Sequence, residues 1–211
     1  MSCKALPGTG QNTIGVGDLD EITGEIFGIS PSGKLPGGGP GQDVDLFLIF
    51  IPNPALFSAT TVGTPGTIAN TQLFLFDQAG FGRVANDNAA PGVLRSTLPL
   101  GHPLIVSLSP GLYLLGISAF DRDPVSAAGL IFNPLLTTDV VGPNGPGGGA
   151  PVIGYTGIGG QGGTYTIQLT GAQFAIQQSP SAVPEPTAIT LFGLGALGLL
   201  GYGWRRRKRA A

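Results

Sequence analysis

Seven side chains with hard oxygen donors fall at the ends of predicted strands or in turns: Asp43, Asp45, Asp77, Asn86, Asp87, Asp121 and Asp123. Carboxylate and amide oxygens are the ligands that calcium takes, and the expected calcium set is Asp43, Asp45, Asp77 and Asp87. The same residue types are ordinary turn formers. No EF-hand or D-x-D-x-D-G loop is present, so both readings stay open on sequence. Other reactive residues offer less. His102 is the only histidine, held between Gly101 and Pro103 in a predicted loop. No G-x-S-x-G marks an activated serine to set beside it, so a Ser-His-Asp hydrolase is not indicated. Cys3 is the only cysteine, which excludes an intrachain disulfide and a cysteine-based zinc site. Two G-x-G-x-x-G matches occur, at Gly193, Gly195, Gly198 and at Gly157, Gly159, Gly162. One lies in an apolar run and the other precedes a strand, so neither has the strand-turn-helix context of a dinucleotide site. The expectation is a protein that is not an enzyme and carries no cofactor other than calcium.

The elements that must position these residues follow from composition. A chain of 211 residues with 37 Gly, 19 Pro and 10% charged residues has too many turn formers for a helical bundle. Its 42% hydrophobic content is too high for a disordered polymer. Many short strands joined by long loops fit best. The net charge of -2 hides an asymmetry, because Arg205, Arg206, Arg207, Lys208 and Arg209 cluster at the end. Residues 1–184 therefore carry five cations against eleven acids. An acidic body with scattered single cations offers no stripe for a phosphate backbone, which excludes nucleic acid as an expected partner.

Breakers and apolar runs divide the chain. Residues 1–17 contain no apolar run and read as a flexible N-terminal segment. Residues 18–178 read as a β-sandwich with Gly/Pro-rich loops, 179–186 as a Pro-rich linker, 187–204 as a transmembrane helix and 205–211 as a basic cytoplasmic tail. Within the body, a first strand starts near Ile22 and Ile26, and DVDLFLIFI, Asp43 to Ile51, is the clearest strand. LFSATTV, TQLFLFD and GRVAND follow. PLIVSLS and LYLLGISAF are expected to pair through Ser-Pro-Gly, and TYTIQLTGAQF closes the domain. The span from Asp121 to Gly163 reads as loop because Pro and Gly dominate it. The expected fold class is all-β: an antiparallel, jelly-roll-like β-sandwich followed by a single C-terminal transmembrane helix.

Thr187 to Trp204 is an uncharged stretch of 18 residues followed directly by five cations. As a helix it would reach about 27 Å, the lower limit for an untilted span. Positive-inside orientation would place Arg205, Arg206, Arg207, Lys208 and Arg209 in the cytoplasm as a membrane stop and the body outside. Pro184 and Pro186 disfavour helix before Thr187 and leave an extended peptide around Glu185. Pro184-Glu185-Pro186, the apolar stretch and the terminal Arg cluster together resemble the PEP-CTERM sorting signal of bacterial exosortase substrates, a tail also labelled ice-binding protein C-terminal domain. That resemblance implies an exosortase-type sorting peptidase as partner, with Pro184, Glu185 and Pro186 as the sorting motif. It further implies passage through the inner membrane with a periplasmic body, then a cell-surface or extracellular location after processing. Export of the body also requires a leader, so a signal peptide encoded upstream of Met1 is expected. Cys3 has only Met1 and Ser2 before it, too little for a lipidation signal.

The body resembles the bacterial pre-peptidase C-terminal domain over roughly residues 40–120. The residues concerned are Asp43-Val44-Asp45-Leu46-Phe47, then Thr71-Gln72-Leu73-Phe74-Leu75-Phe76-Asp77-Gln78-Ala79-Gly80, then Asn86-Asp87-Asn88, then Gly111 to Ile117. The long Gly/Pro insertion before the final strand departs from that pattern. The leading functional expectation is a non-enzymatic cell-surface or extracellular-matrix protein with exopolysaccharide as a candidate partner. The alternative is a carbohydrate-binding module, with ice a weaker version because TYTIQLT supplies only one short Thr alternation.

Overall fold

The structure, a computed structural model, describes residues 11–26, 44–133, 138–157 and 162–177. The chain divides after Gln177 into two units, and the second, Gln178–Ala211, lies outside the described residues. In chain order the strands are β1 (Gln11–Asn12), β2 (Ile14–Gly15), β3 (Glu21–Ile26), β4 (Asp45–Ile51), β5 (Ser58–Thr60), β6 (Thr71–Asp77) and β7 (Gly82–Asn86). They continue with β8 (Thr97–Leu98), β9 (Gly111–Ala119), β10 (Asp123–Ser126), β11 (Gly129–Leu130), β12 (Gly154–Thr156), β13 (Gly163–Thr170), β14 (Gln173–Phe174) and β15 (Ile176–Gln177). One short helix, α1 (Pro103–Val106), and one 3-10 turn, Pro54–Leu56, complete the described elements.

The main sheet runs β1-β4-β9-β6-β7, with β14 also paired to β4, and a second sheet runs β3-β13-β5-β8. Counting β3 to β9 and then β13 as strands one to eight, the sheets read 1-8-3-6 and 2-7-4-5. This is the strand order of a jelly roll. Phe47, Ile49, Leu73, Leu75, Leu115 and Ile117 of the main sheet pack into one cluster with Ile22, Ala59, Leu98, Tyr165, Ile167 and Leu169 of the other. The two sheets thus share a core, as in a sandwich. Two pairings are parallel, β1 with β4 and β15 with β2, against the all-antiparallel expectation. Gly171, at φ +66, lets the chain leave β13 in one sheet and enter β14 in the other.

The main sheet is buried on both faces. Leu46, Phe74, Phe76 and Leu114 point away from the sandwich core into a second cluster with Ile131, Phe132, Val152 and Tyr155. A three-stranded sheet, β11-β10-β12, lies within the segment that supplies those four residues. This explains why DLFLIFI and TQLFLFD are almost continuously apolar: a strand covered on both faces has no side to leave polar.

Four sequence expectations are corrected. PLIVSLS is not a strand paired to β9. Pro103 occupies the first turn of α1, where its missing N–H costs nothing, and the His102 ring Nδ1 accepts from Leu104 N at 3.3 Å as the N-cap. His102 is therefore a capping residue. LFSATTV begins in the 3-10 turn and is a strand only over Ser58–Thr60. Residues 11–15, expected in a flexible segment, form β1 and β2. The region from Asp121 to Gly163, read as loop, contains β10, β11 and β12.

Arg95 holds the segment that runs from β5 to β6. Its guanidinium donates to the carbonyls of Thr61 at 3.1 Å, Thr64 at 2.6 Å and Gly66 at 2.7 Å. That segment in turn completes the edge of β13, since the N–H groups of Thr67 and Ile68 donate to Thr164 O. Arg95→Ala should cost about 2 kcal/mol in urea unfolding, because three carbonyls lose a charged donor at a partly solvated site. Lysine should recover only part, since an ammonium cannot reproduce the planar fork; full recovery by Arg95→Lys would contradict this account.

Candidate functional site

The concentration of buried polar groups lies at one end of the main sheet. In β6, Gln72 is fully buried, and its side-chain nitrogen donates to Asp123 Oδ1 at 2.9 Å. Its side-chain oxygen accepts from Arg122 N at 2.9 Å and from the Ser118 hydroxyl at 3.1 Å. The Arg122 guanidinium donates to Gly157 O at 2.7 Å. Gly157 sits at φ +96, and a Cβ there would meet the carbonyl oxygen of Asp121. A side chain at 157 would therefore push against the turn that carries Asp121.

Asp87 faces the same region from the far side of β6. Leu73 pairs with Asn86, so the register carried one step further sets Asp87 beside Gln72, which itself pairs with Ser118. The backbone of Asp87 is anchored beside Ser96, whose single hydroxyl proton is within reach of the Asp87 and Thr71 carbonyls. Asn86 is anchored too, accepting from Thr97 N at 2.9 Å and donating to Asn88 O at 2.9 Å. The Asp87 side chain has no such support. It is 1% exposed, and neither carboxylate oxygen has a hydrogen-bond partner. Burial, then the charge of Asp123, then that of Asp121 push its pKa up to about 7. Burial also raises Asp123, opposed by the Gln72 hydrogen bond and reinforced by the nearby carboxyl of Asp121. The side-chain oxygens of Asn70 and Asn88 are buried and unpartnered as well.

Of the four aspartates expected to bind calcium together, the three that are described, Asp45, Asp77 and Asp87, do not converge. Asp43 lies outside the described residues. Asp45 is on β4 and accepts from the Tyr165 hydroxyl at 2.5 Å, inside the sandwich. Strands β9 and β6 separate it from β7, which puts it about 14 Å from Asp87. Asp77 closes the far end of β6, accepting from Ala79 N and Phe81 N and pairing with Arg83 at 2.7 Å. It is a turn former. The sheet instead links Asp87 to Asp123 through Gln72, which lies beside Asp87 and donates to Asp123. Among the described residues no group of three or more His, Cys, Asp or Glu side chains stands ready to hold a metal ion. Gln72, Asn70 and Asn88 were not singled out from sequence as parts of a site. Gln72 had one signal, an uncharged polar residue inside an otherwise apolar strand.

A separate cleft of about 400 Å³ lies on the β3-β13 side, lined by Thr23, Glu25, Pro65, Gly66, Thr164 and Thr166 among others. Its hydroxyls sit on paired positions, Thr166 opposite Thr23 and Thr164 opposite Glu25. Thr166 is only 5% exposed, which interrupts the open Thr array that an ice face would need.

The sorting motif Pro184, Glu185, Pro186, the span 187–204 and the cations Arg205 to Arg209 lie outside the described residues. Among the described residues no helix is long and apolar enough to cross a membrane. No curated protein and no solved structure matches the chain, so the likeness of the body to pre-peptidase C-terminal domains gains no support from comparison. Residues 182–208 do match a known family, the PEP-CTERM protein-sorting motif, which implies an exported protein processed by an exosortase.

Proposed function

We propose that the chain is a non-enzymatic cell-surface or extracellular-matrix protein whose jelly-roll body is delivered by its tail. The sorting motif at residues 182–208 carries this reading. In it, the apolar run 187–204 spans the inner membrane with Arg205 to Arg209 in the cytoplasm and the body in the periplasm. A membrane-associated exosortase then recognises Pro184-Glu185-Pro186 and releases the body to the surface, where exopolysaccharide is a partner. The test is the intact mass of the protein recovered from a host that possesses an exosortase. A chain ending near Pro184 to Pro186 supports the reading, and recovery of only the full-length chain overturns it.

A second reading, carbohydrate binding, draws on the cleft beside Thr23, Glu25 and Thr164, where hydroxyls and a carboxylate could exchange hydrogen bonds with sugar hydroxyls. Against it, the ring that lines this cleft, Tyr165, is 3% exposed and its hydroxyl donates to Asp45, so it offers no open aromatic face on which a sugar could stack. Selective hits on a glycan array that Glu25→Ala and Thr164→Ala abolish would favour this second reading. A surface protein of purely structural role gives none.

A further inference from the structure

We propose that the body rests on the bilayer through one end of its sandwich, with Leu56, Leu100, Leu104 and Val106 entering the interfacial layer of the lipid. This deepens the reading of residues 187–204 as a membrane span and rests on it. All four side chains are exposed, Leu56 by 56% and Leu100 by 59%, and they sit on two adjoining connections. Leu100 lies in the turn closed by His102 N donating to Pro99 O at 3.3 Å, where Gly101 takes φ +74. Helix α1 follows at once and packs beside the 3-10 turn that carries Leu56. Ile105 of α1 is fully buried, which leaves Leu104 and Val106 at the surface on its flanks. Neither connection brings a formal charge, because residues 46–76 and 96–120 contain no Asp, Glu, Lys or Arg. Asp77 and Arg83, which stand at the same end of the main sheet, are paired with each other. An apolar patch of this kind marks a surface that associates with something.

The point where the chain leaves the body selects a bilayer as the occupant. The turn after β13 lies against this end, since a Cβ at Gly171 would meet the Leu56 carbonyl. From there Gln173 pairs with Phe50 and Phe174 with Ile49, and the described body ends at Gln177. Two further exposed apolar side chains, Ile14 and Ile176, face each other in the β2-β15 pair at that exit. Only residues 178–186 separate Gln177 from Thr187, and that length of chain reaches at most about 35 Å. A spanning segment at 187–204 therefore holds the body against lipid at high effective concentration, so a small patch is enough to orient it. The opposite end of the main sheet, where Thr71 pairs with Ala119, is unsuited because Asp121 and Asp123 add carboxylates there. With no cation on the two apolar connections, contact is driven by apolar burial and does not require an anionic headgroup.

The test uses the full-length chain with its only cysteine removed by Cys3→Ser, reconstituted in phosphatidylcholine vesicles. Leu56→Cys and Leu100→Cys place a nitroxide label at this end, and Val62→Cys and Leu94→Cys place one at the other, beside Thr61 and Thr71. With a water-soluble nickel chelate on both sides of the bilayer, collisions at positions 56 and 100 should be about fivefold fewer than at 62 and 94, while collisions with oxygen are more frequent. Circular dichroism checks that each variant is folded, and Val106→Cys supplies a third label at this end if one of the first two is not. Flotation of the vesicles reports the span separately. A chain that fails to float with them overturns the span and this inference together. A chain that floats, yet whose labels at 56 and 100 are as open to the chelate as those at 62 and 94, overturns this inference alone. Spin–spin broadening between labels at position 100 assigns the face to a second copy of the chain and overturns it too.

Discussion

Glu185→Ala should convert the protein from a processed form to one that keeps its full length and stays in the inner membrane. Glu185 is the only charged residue between Asp139 and Arg205, so it is the one ionic handle ahead of the apolar run. Pro184 and Pro186 on either side fix φ and remove two backbone donors, so the sequence there disfavours helix and is expected to present an extended peptide to a peptidase. The effect should be nearly all-or-none, visible as retention of the apolar segment and the five terminal cations in the intact mass. Pro184→Ala should act in the same direction. Glu185→Gln separates charge from shape: if it is processed normally, the carboxylate is not what is read. Unchanged processing of Glu185→Ala would reduce Pro-Glu-Pro to the end of a stalk.

Phe74→Ala should produce the largest loss of stability in the body, about 3–5 kcal/mol, from lost burial and the cavity left behind. Phe74 is fully buried, and its ring lies 6.2 Å from Phe76, 6.1 Å from Phe132 and 6.2 Å from Tyr155. Two of those neighbours belong to the segment that covers the outer face of the main sheet. The damage should therefore be uneven, with hydrogen exchange rising more in β10 and β12 than in β13, on the opposite side of the sandwich. Phe74→Leu should restore a large part of the loss. A cost below about 1 kcal/mol would mean that the second cluster contributes little packing energy.

Strand positions were largely legible in the sequence because they are set locally. Thr71–Asp77 is observed as the apolar run and its flanking breakers predict, and Asp45–Ile51 and Gly111–Ala119 differ from the expected runs only at their ends. The sorting tail was legible for a related reason, since charge, length and proline placement are read along the chain without reference to a fold. Short apolar runs were the weak point. PLIVSLS has the composition of a strand, and it is helical over Pro103–Val106 because His102 and Pro103 start a turn there. Four to seven apolar residues carry too little periodicity to separate the two outcomes.

The candidate site was legible only as a set of residue types. Asp43, Asp45, Asp77 and Asp87 are equivalent on sequence, each an acid near a strand end. Pairing order separates them, because β9 and β6 lie between Asp45 and β7, while Asp77 stands six residues along β6 from its start. The same pairing sets Gln72 between Asp87 and Asp123, residues more than thirty positions apart in the chain. The segment from Asp121 to Thr156 shows the physical difference most plainly. Its glycines and prolines correctly announce turns, which depend on backbone preferences of a few neighbouring residues. That Ile131, Phe132, Val152 and Tyr155 would cover Phe74 and Phe76 depends on where a separate apolar surface lies. Burial of surface against surface has no local signature, so local pattern reports the strands and the tail, and long-range packing alone reports the second core and the buried polar network around Gln72.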